Sequence, residues 1–296
     1  MYIIHSNVVL RPFPSKEVRV QEEVQTAIQP SVVLIPCSLP KGYASKTITV
    51  MRSCIAQIAK IRDNRSVSDD FMVQRVMSGI AHQRPSKPKY NNMWCPLLIF
   101  DHIRDQHADS TQLSTKQLLA KSVVLIKLFC LARASDLEKW SFRSLDQSIT
   151  NCIRGTIVKA KEQRNSDSPS ALVFKGIKKP SICPLATLRE YLSRTKAKRS
   201  KKSKDAVFID SSGLPLVDKD FSSITLSFLD KAGVDTNVYK AHSTRAAMAS
   251  WLLLNGISLH RVKKLGRWRS NAALEKYYDM EIIDQDSKRS KVFVSN

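Results

Sequence analysis

Residues 239–278 read YKAHSTRAAMASWLLLNGISLHRVKKLGRWRSNAALEKYY, and this stretch decides the fold. Apolar residues recur at helical spacing in residues 246–254 and again after Gly256, where a glycine stops the first helix. A second helix runs to Gly266, and Ser270 provides a fresh N-cap for a third. The pattern therefore predicts three helices that fold back on one another.

His242 and Arg245 lie where the first of these helices begins. Unpaired backbone N–H groups and the positive end of the helix dipole favour a phosphate at such a position. The alternative is that His242 is an N-cap and Arg245 a surface charge, because an H-x-x-R pattern alone is too short to decide.

The overall composition points to nucleic acid. A chain of 296 residues has room for about two domains, and its 43% hydrophobic and 25% charged content is typical of globular proteins. The net charge of +22 is large enough to attract a polyanion. No apolar run approaches the ~20 residues that cross a bilayer, and the N-terminus lacks the features of a secretory signal. We therefore expect an intracellular protein without a membrane segment.

Cofactor motifs are missing from the sequence. It contains no C-x-x-C pair, no P-loop and no G-x-G-x-x-G, so we expect no zinc site, no nucleotide and no other cofactor. The cysteines are scattered, and we expect all of them to be reduced thiols. They are Cys37, Cys54, Cys95, Cys130, Cys152 and Cys183.

Composition divides the chain into five segments. Residues 1–40 have no sustained period and receive no assignment, whereas residues 41–84 show helical spacing. Residues 85–95 begin as a basic stretch broken by prolines and are interpreted as a linker. Residues 96–280 would form the second domain, and residues 281–296 a C-terminal tail.

Two capping boxes are predicted within the second domain. Ser114 and Gln117 precede an apolar helix, and Ser135 and Glu138 would begin another. This arrangement leaves Arg133 in the corner between the two helices.

A hairpin interrupts the helical pattern. Residues 156–161 alternate in the manner of a strand, residues 165–170 carry turn residues, and residues 171–174 return. We therefore predict a mainly α fold with a small antiparallel β-hairpin, an α+β protein of two domains.

Residues 196–204, here called the basic loop, contain six basic residues in nine positions. Most charge runs are solvated loops. We favour a loop that contacts phosphates, with a nuclear import signal as the second interpretation.

These segments together resemble the C-terminal signature of the tyrosine recombinase (phage integrase) family. The resemblance covers residues 116–280, and the helices before it are similar to those of DIRS-like and Crypton mobile-element recombinases. The matching residues are Arg133 in R-x-x-[DE], His242 and Arg245 in H-x-x-R, Trp268 after Gly266, and Tyr277 nine residues later.

The resemblance implies a helical core-binding domain followed by a catalytic domain that cleaves and rejoins DNA. Its chemistry passes through a 3′-phosphotyrosine and needs neither ATP nor a metal. The implied roles are Tyr277 as nucleophile, Arg133 and Arg245 as phosphate ligands, Lys161 as general acid, and His242 and Trp268 as orienting groups.

Several assignments stay open. Tyr278 adjoins Tyr277, but adjacent helical residues point about 100° apart, so only one of the two can face the phosphate. The nine-residue spacing favours Tyr277. Trp268 could be a core aromatic, and Asp136 a structural partner for an arginine. The general acid could also be Lys159, on the same strand face as Lys161, or Lys175 or Lys178 near the returning strand.

The expected partners are double-stranded DNA and further copies of the chain, with the C-terminal tail as a contact arm. The alternatives are a DNA-binding remnant without catalysis and a nicking-closing enzyme similar to type IB topoisomerases. We expect a nuclear location for a eukaryotic mobile element and a cytoplasmic one otherwise. The predicted DNA contacts are Lys159, Lys198, Arg199, Lys201, Lys202, Arg267 and Arg269.

Overall fold

The computed structural model describes residues 43–63, 67–85, 89–146, 148, 150–161, 169–271, 274 and 280–283. The chain divides into two compact units, residues 1–87 and residues 88–296. Across the described ranges the fold is mainly helical with small sheets, which confirms the predicted class. None of the helices in these ranges is long and apolar enough to cross a membrane.

The first unit contains two helices, α1 (Ser45–Asp63) and α2 (Phe71–Gln83). Asp70 caps α2 because its carboxylate accepts from the backbone N–H groups two and three residues later, at 2.9 and 3.0 Å. The Arg84 guanidinium donates to the Tyr43 carbonyl at 2.8 Å and ties the end of α2 to the residues before α1. The role of this unit in DNA binding stays a prediction.

The second unit combines helices with short strands. Its elements are β1 (Asn92–Trp94), α3 (Leu97–Gln106), α4 (Thr115–Phe129), α5 (Ala134–Glu138), β2 (Cys152–Thr156), β3 (Ala171–Lys175), α6 (Pro184–Thr195), α7 (Asp218–Lys231), α8 (Ser243–Leu254), α9 (Leu259–Gly266) and β4 (Glu281–Ile283).

Helix α4 is the centre of this unit. Ser114 and Gln117 form the predicted capping box at its start. Leu125 packs into one apolar cluster with α8, whereas Ile126 packs into a second cluster with the hairpin. Because α4 contributes to both clusters, some of its polar side chains are buried as well, including Lys121 and Lys127.

The hairpin begins earlier than predicted. β2 pairs antiparallel with β3 from Cys152 opposite Lys175 to Thr156 opposite Ala171. The predicted first strand, residues 156–161, is therefore wrong. Gly155 lies on the buried face, where a Cβ would come within 2.2 Å of a tryptophan nitrogen, so the buried face does not read as alternating apolar residues.

A second sheet joins distant parts of the chain. β1 and β4 pair in parallel, with Asn92 opposite Glu281 and Trp94 opposite Ile283. The predicted linker, residues 85–95, therefore includes β1, and the predicted tail, residues 281–296, begins with β4. Strands of three residues show no period in a sequence, which is why both were missed.

The described cysteines, all except Cys37, carry free thiols. Burial raises the pKa of the Cys130 thiol to about 12, so it stays protonated near neutral pH. Cys37 and the unassigned residues 1–40 lie outside the described residues.

Candidate active site

Arg245 lies in the first turn of α8 and is only 4% exposed. Its Nη1 donates to the Leu131 carbonyl oxygen and its Nη2 to the Gly266 carbonyl oxygen. Its guanidinium carbon lies 4.0 Å from the centroid of the Trp268 ring, a cation–π contact. Arg245 therefore joins three sequence motifs, and Trp268 is both a core aromatic and a member of the site.

Unusual backbone conformations surround Arg245. Leu131 and Arg267 have left-handed φ angles of 47° and 55°, a backbone conformation that residues other than glycine rarely adopt. The chain turns sharply at Leu131 because the Ala132 N–H donates to the Lys127 carbonyl at 3.1 Å. This turn places the Leu131 carbonyl where Arg245 reaches it.

Gly266 is required by the packing of Trp268. A Cβ at Gly266 would lie 1.8 Å from an atom of the Trp268 ring. Only glycine lets the aromatic ring fold back over α9 and stack on Arg245.

Arg133 and Arg267 converge on Asp136. The Arg133 backbone N–H donates to Asp136 Oδ2 at 2.8 Å, and Arg267 Nη2 donates to the same oxygen. Arg133 Nη1 lies 3.7 Å from Asp136 Oδ1. The predicted role of Asp136 as an arginine partner is confirmed. The pocket formed by Arg133, Asp136, Arg245, Arg267 and Trp268 is called the arginine pocket below.

One prediction fails at this corner. Helix α5 begins at Ala134 with Arg133 as its N-cap, so the Ser135–Glu138 capping box is wrong; Asp136 already accepts the Arg133 N–H. Arg267 is an internal ion-pair partner, 12% exposed, and a DNA contact at this residue stays a prediction.

His242 is the N-cap residue of α8, and one side of its otherwise exposed ring lies against Tyr90, with the ring centroids 5.8 Å apart. Its Nε2 lies 3.3 Å from the Tyr90 hydroxyl. Desolvation lowers the pKa of His242 below its ordinary value of 6.5, and the charges of Lys89 and Lys127 lower it further. The imidazole is therefore mainly neutral at pH 7 and can donate from one nitrogen while it accepts on the other.

The predicted nucleophile, Tyr277, and its neighbour Tyr278 lie outside the described residues. The described residues on either side are held by the second unit. Leu274 is fully buried in the cluster that includes α8, and the Met280 N–H donates to Ser250 Oγ of α8 at 3.1 Å. The choice between the two tyrosines stays a prediction.

The sequence was compared with models of known protein families. The model of the phage integrase family matches residues 107–282, more than half of the chain. The chain belongs to the phage integrase family. A search of curated proteins found no match.

Solved structures of integrases and recombinases share the fold. The Tn1549 transposon integrase in complex with transposon right end DNA matches with a TM-score of 0.51 and 12% identity, over 80% of this chain and 76% of that chain. The XerH site-specific recombinase bound to its difH substrate matches with a TM-score of 0.50 and 14% identity, over 77% and 66%. This chain spans 49% of the XerH chain in a post-cleavage complex.

Lys159 and Lys161 of this chain lie outside the strands of the hairpin. Lys159 has a left-handed φ of 52° and Lys161 lies in a turn, so the two do not share a strand face as predicted. Both are exposed, as are Lys175 at the end of β3 and Lys178 beyond it. The identity of the general acid stays a prediction.

The basic loop forms two short 3₁₀ turns, Lys196–Lys198 and Lys201–Ser203. Arg199 between them donates to the carbonyls of Ala206 at 2.8 Å and Val207 at 2.6 Å and stacks on Phe142 at 4.2 Å. The Arg199 guanidinium therefore holds the loop together, and a DNA contact at this residue stays a prediction. Lys198, Lys201, Lys202 and Arg269 are exposed and stay predicted DNA contacts.

Sequence reasoning missed two residues of the site. Tyr90 lay in the predicted linker, although Met93 and Trp94 close behind it are the apolar residues of a buried strand. Lys127 looked like a break in an apolar run, yet its side chain is buried beside the residue that precedes His242.

Proposed function

We propose that this protein is a DNA strand transferase that cleaves and rejoins DNA through a covalent 3′-phosphotyrosine. One observation carries the proposal: Arg245 reaches the backbone just before Arg133 and the backbone just before Trp268. Three motifs that are far apart in the sequence thus meet around one guanidinium, which supports a single reaction centre.

The nucleophile we propose is Tyr277. A tyrosine hydroxyl has a pKa near 10, so only about 0.1% is ionised at neutral pH. Attack on a phosphodiester therefore needs positive charge that stabilises the pentacoordinate transition state. Arginine is suited to this task because it stays protonated and can bind two phosphate oxygens at once.

Arg133 and Arg245 have different roles in this proposal. The side chain of Arg133 is 28% exposed, so Arg133 can contact a DNA phosphate directly. Arg245 is 4% exposed and its terminal nitrogens bind two carbonyls, so it fixes the shape of the pocket. Its buried charge still favours an anion nearby, because the protein interior screens charge less than water does.

The remaining roles follow from chemistry. We assign Lys161 as the donor of a proton to the departing 5′-oxygen, and His242 as a hydrogen-bonding group toward the phosphate. The phosphotyrosine ester stores roughly the free energy of the bond it replaces. A 5′-hydroxyl can therefore reverse the step, and the reaction requires no ATP.

Double-stranded DNA is the proposed substrate, and several copies of the chain would assemble on it. The net charge of +22 and the exposed lysines of the basic loop support this choice, and the Tn1549 integrase and XerH were both solved with DNA. The similarity to DIRS-like and Crypton recombinases, and the nuclear location it would bring, are part of the same proposal.

Covalent trapping tests the proposal. The protein is incubated with a pool of nicked duplex oligonucleotides, and adducts that survive denaturing detergent are isolated and sequenced. We expect adducts with the wild type and with Tyr278→Phe. Tyr277→Phe should give none while its DNA affinity changes less than about twofold, because only one hydroxyl is lost.

The other outcomes separate the alternatives. An adduct with Tyr277→Phe but not with Tyr278→Phe would assign the nucleophile to Tyr278. DNA binding without any wild-type adduct would favour the DNA-binding remnant. Adducts together with plasmid relaxation by the monomer, but without products that join two different DNA molecules, would favour the nicking-closing enzyme.

A further inference from the structure

A buried lysine, Lys127, contacts both the segment that leads into α8 and the segment that leads into Arg133. Lys127 lies near the end of α4 and is 2% exposed. Its Nζ donates to the Thr225 hydroxyl of α7 at 3.0 Å and to the Ala241 carbonyl at 3.1 Å. Ala241 directly precedes His242, so the amine holds the backbone at the start of α8.

The backbone of Lys127 contacts the segment that leads into Arg133. Its carbonyl accepts the Ala132 N–H at 3.1 Å, and Ala132 directly precedes Arg133. One residue therefore fixes the chain before Arg133 through its main chain and the chain before His242 through its side chain.

The charge of Lys127 needs an explanation. Its hydrogen bonds go to neutral oxygens, and burying an amine costs free energy that an apolar side chain of similar length would not. Desolvation lowers the pKa of Lys127 to about 8, although the carboxylate of Asp218 on α7 opposes the shift. The charge of Lys127 in turn contributes to the lowered pKa of His242, after desolvation and Lys89. At pH 7 the amine is still mostly protonated.

We propose that Lys127 is a positioning residue for His242: its ammonium group holds the Ala241 carbonyl and places its positive charge where it acts on the imidazole. This rests on the proposed function in so far as the placement serves DNA cleavage. The electrostatic part does not depend on cleavage and can be measured without it.

Lys121 provides a matched control. It lies on the same helix, is fully buried, and also has a pKa lowered by burial to about 8. Its Nζ donates to the His107 carbonyl at 2.7 Å and to Ser110 Oγ at 2.9 Å. A variant at Lys121 therefore removes an equally buried amine that does not contact the residues around His242.

The first experiment follows the histidine pKa values by NMR in the full-length wild type, Lys127→Met, Lys127→Arg and Lys121→Met proteins. The charge of Lys127 lowers the pKa of His242, and that of Lys121 lowers the pKa of His107. Lys127→Met should therefore raise the pKa of His242 alone, and Lys121→Met that of His107 alone. Lys127→Arg should keep the His242 value. An unchanged His242 pKa in folded Lys127→Met overturns the proposal.

The wild type gives a second test if Lys127→Met does not fold. The His242 ring resonance should show a second inflection near pH 8 as Lys127 loses its proton. A single inflection at His242 up to pH 9.5 would also overturn the proposal.

The last experiment measures single-turnover DNA cleavage at pH 7. Lys127→Met should cleave about 10- to 100-fold more slowly with DNA affinity within about twofold, since small displacements of a positioned group cost this much. Lys127→Arg should recover most of the rate, and Lys121→Met should cleave like the wild type. Equal rates in the two Met variants would contradict the positioning role. If the wild type itself does not cleave, the proposed function fails, and the NMR experiment alone decides on Lys127.

Discussion

The arginine pocket and the basic loop are both rich in basic side chains, but those of the pocket are bound by protein atoms, whereas most of those in the loop are exposed to solvent. In the pocket, Arg245 and Arg267 are bound to carbonyls and to a buried carboxylate. In the loop, Lys198 and its lysine neighbours are exposed, and only Arg199 is held by carbonyls. The difference teaches that interior cations fix geometry, whereas exposed cations are available to attract DNA. A count of basic residues cannot separate the two.

The strongest way to break the pocket is to remove its only acid. Asp136 is 1% exposed and pairs with Arg267, which is 12% exposed. Asp136→Ala leaves that guanidinium buried without its carboxylate and also removes the acceptor of the Arg133 N–H. We expect the free energy of unfolding in urea at pH 7 to fall by about 3–5 kcal/mol.

Asp136→Asn provides the control, because its side-chain oxygen can still accept the Arg133 N–H after the charge is lost. We expect the free energy of unfolding of Asp136→Asn to lie between that of the wild type and that of Asp136→Ala. A loss below about 1 kcal/mol for Asp136→Ala would mean that the ion pair does not hold the pocket.

A smaller effect should come from Gly266→Ala. The new methyl group would overlap the Trp268 ring and push it away from Arg245. Overpacking of this kind costs about 1–3 kcal/mol, measured by urea unfolding, and the near-UV circular dichroism should change with the tryptophan environment.

Gly79→Ala is the matched control for this substitution. Gly79 lies inside α2, and a Cβ there would meet no atom within 4 Å. Because alanine favours helices more than glycine does, this variant should be as stable as the wild type or up to about 1 kcal/mol more stable. Equal effects at the two glycines would contradict a specific role for Gly266.

Local sequence signals predicted much of the fold and the motifs of the site. The Ser114–Gln117 capping box begins α4, and α8 ends before Gly256, whose φ of 80° suits a glycine. The spacing of His242 and Arg245 placed them at the start of α8. Each of these signals acts within a few residues of the feature it specifies.

Long-range contacts account for what the sequence did not predict. Lys127 finds its partner 114 residues away at Ala241, and Tyr90 reaches His242 over 152 residues. Arg267 meets Asp136 over 131 residues. No local period records such contacts, so Lys127 looked like an interruption of an apolar run, and no local signal marked Arg267 as the partner of Asp136.

The smallest effect on stability is expected in the basic loop. Replacement of Lys198, Lys201 and Lys202 by Gln should change the free energy of unfolding by no more than about 0.5 kcal/mol per site, since exposed charges contribute little. If each lysine contacts one phosphate, the slope of log affinity for duplex DNA against log salt should become shallower by about 0.9 per site.

Arg199→Gln, in the same loop, should behave in the opposite way. It removes the donors to the Ala206 and Val207 carbonyls and should lower stability, while the slope stays near its wild-type value. A shallower slope for Arg199→Gln, or none for the triple variant, would show that the division between interior and exposed cations does not hold in the basic loop.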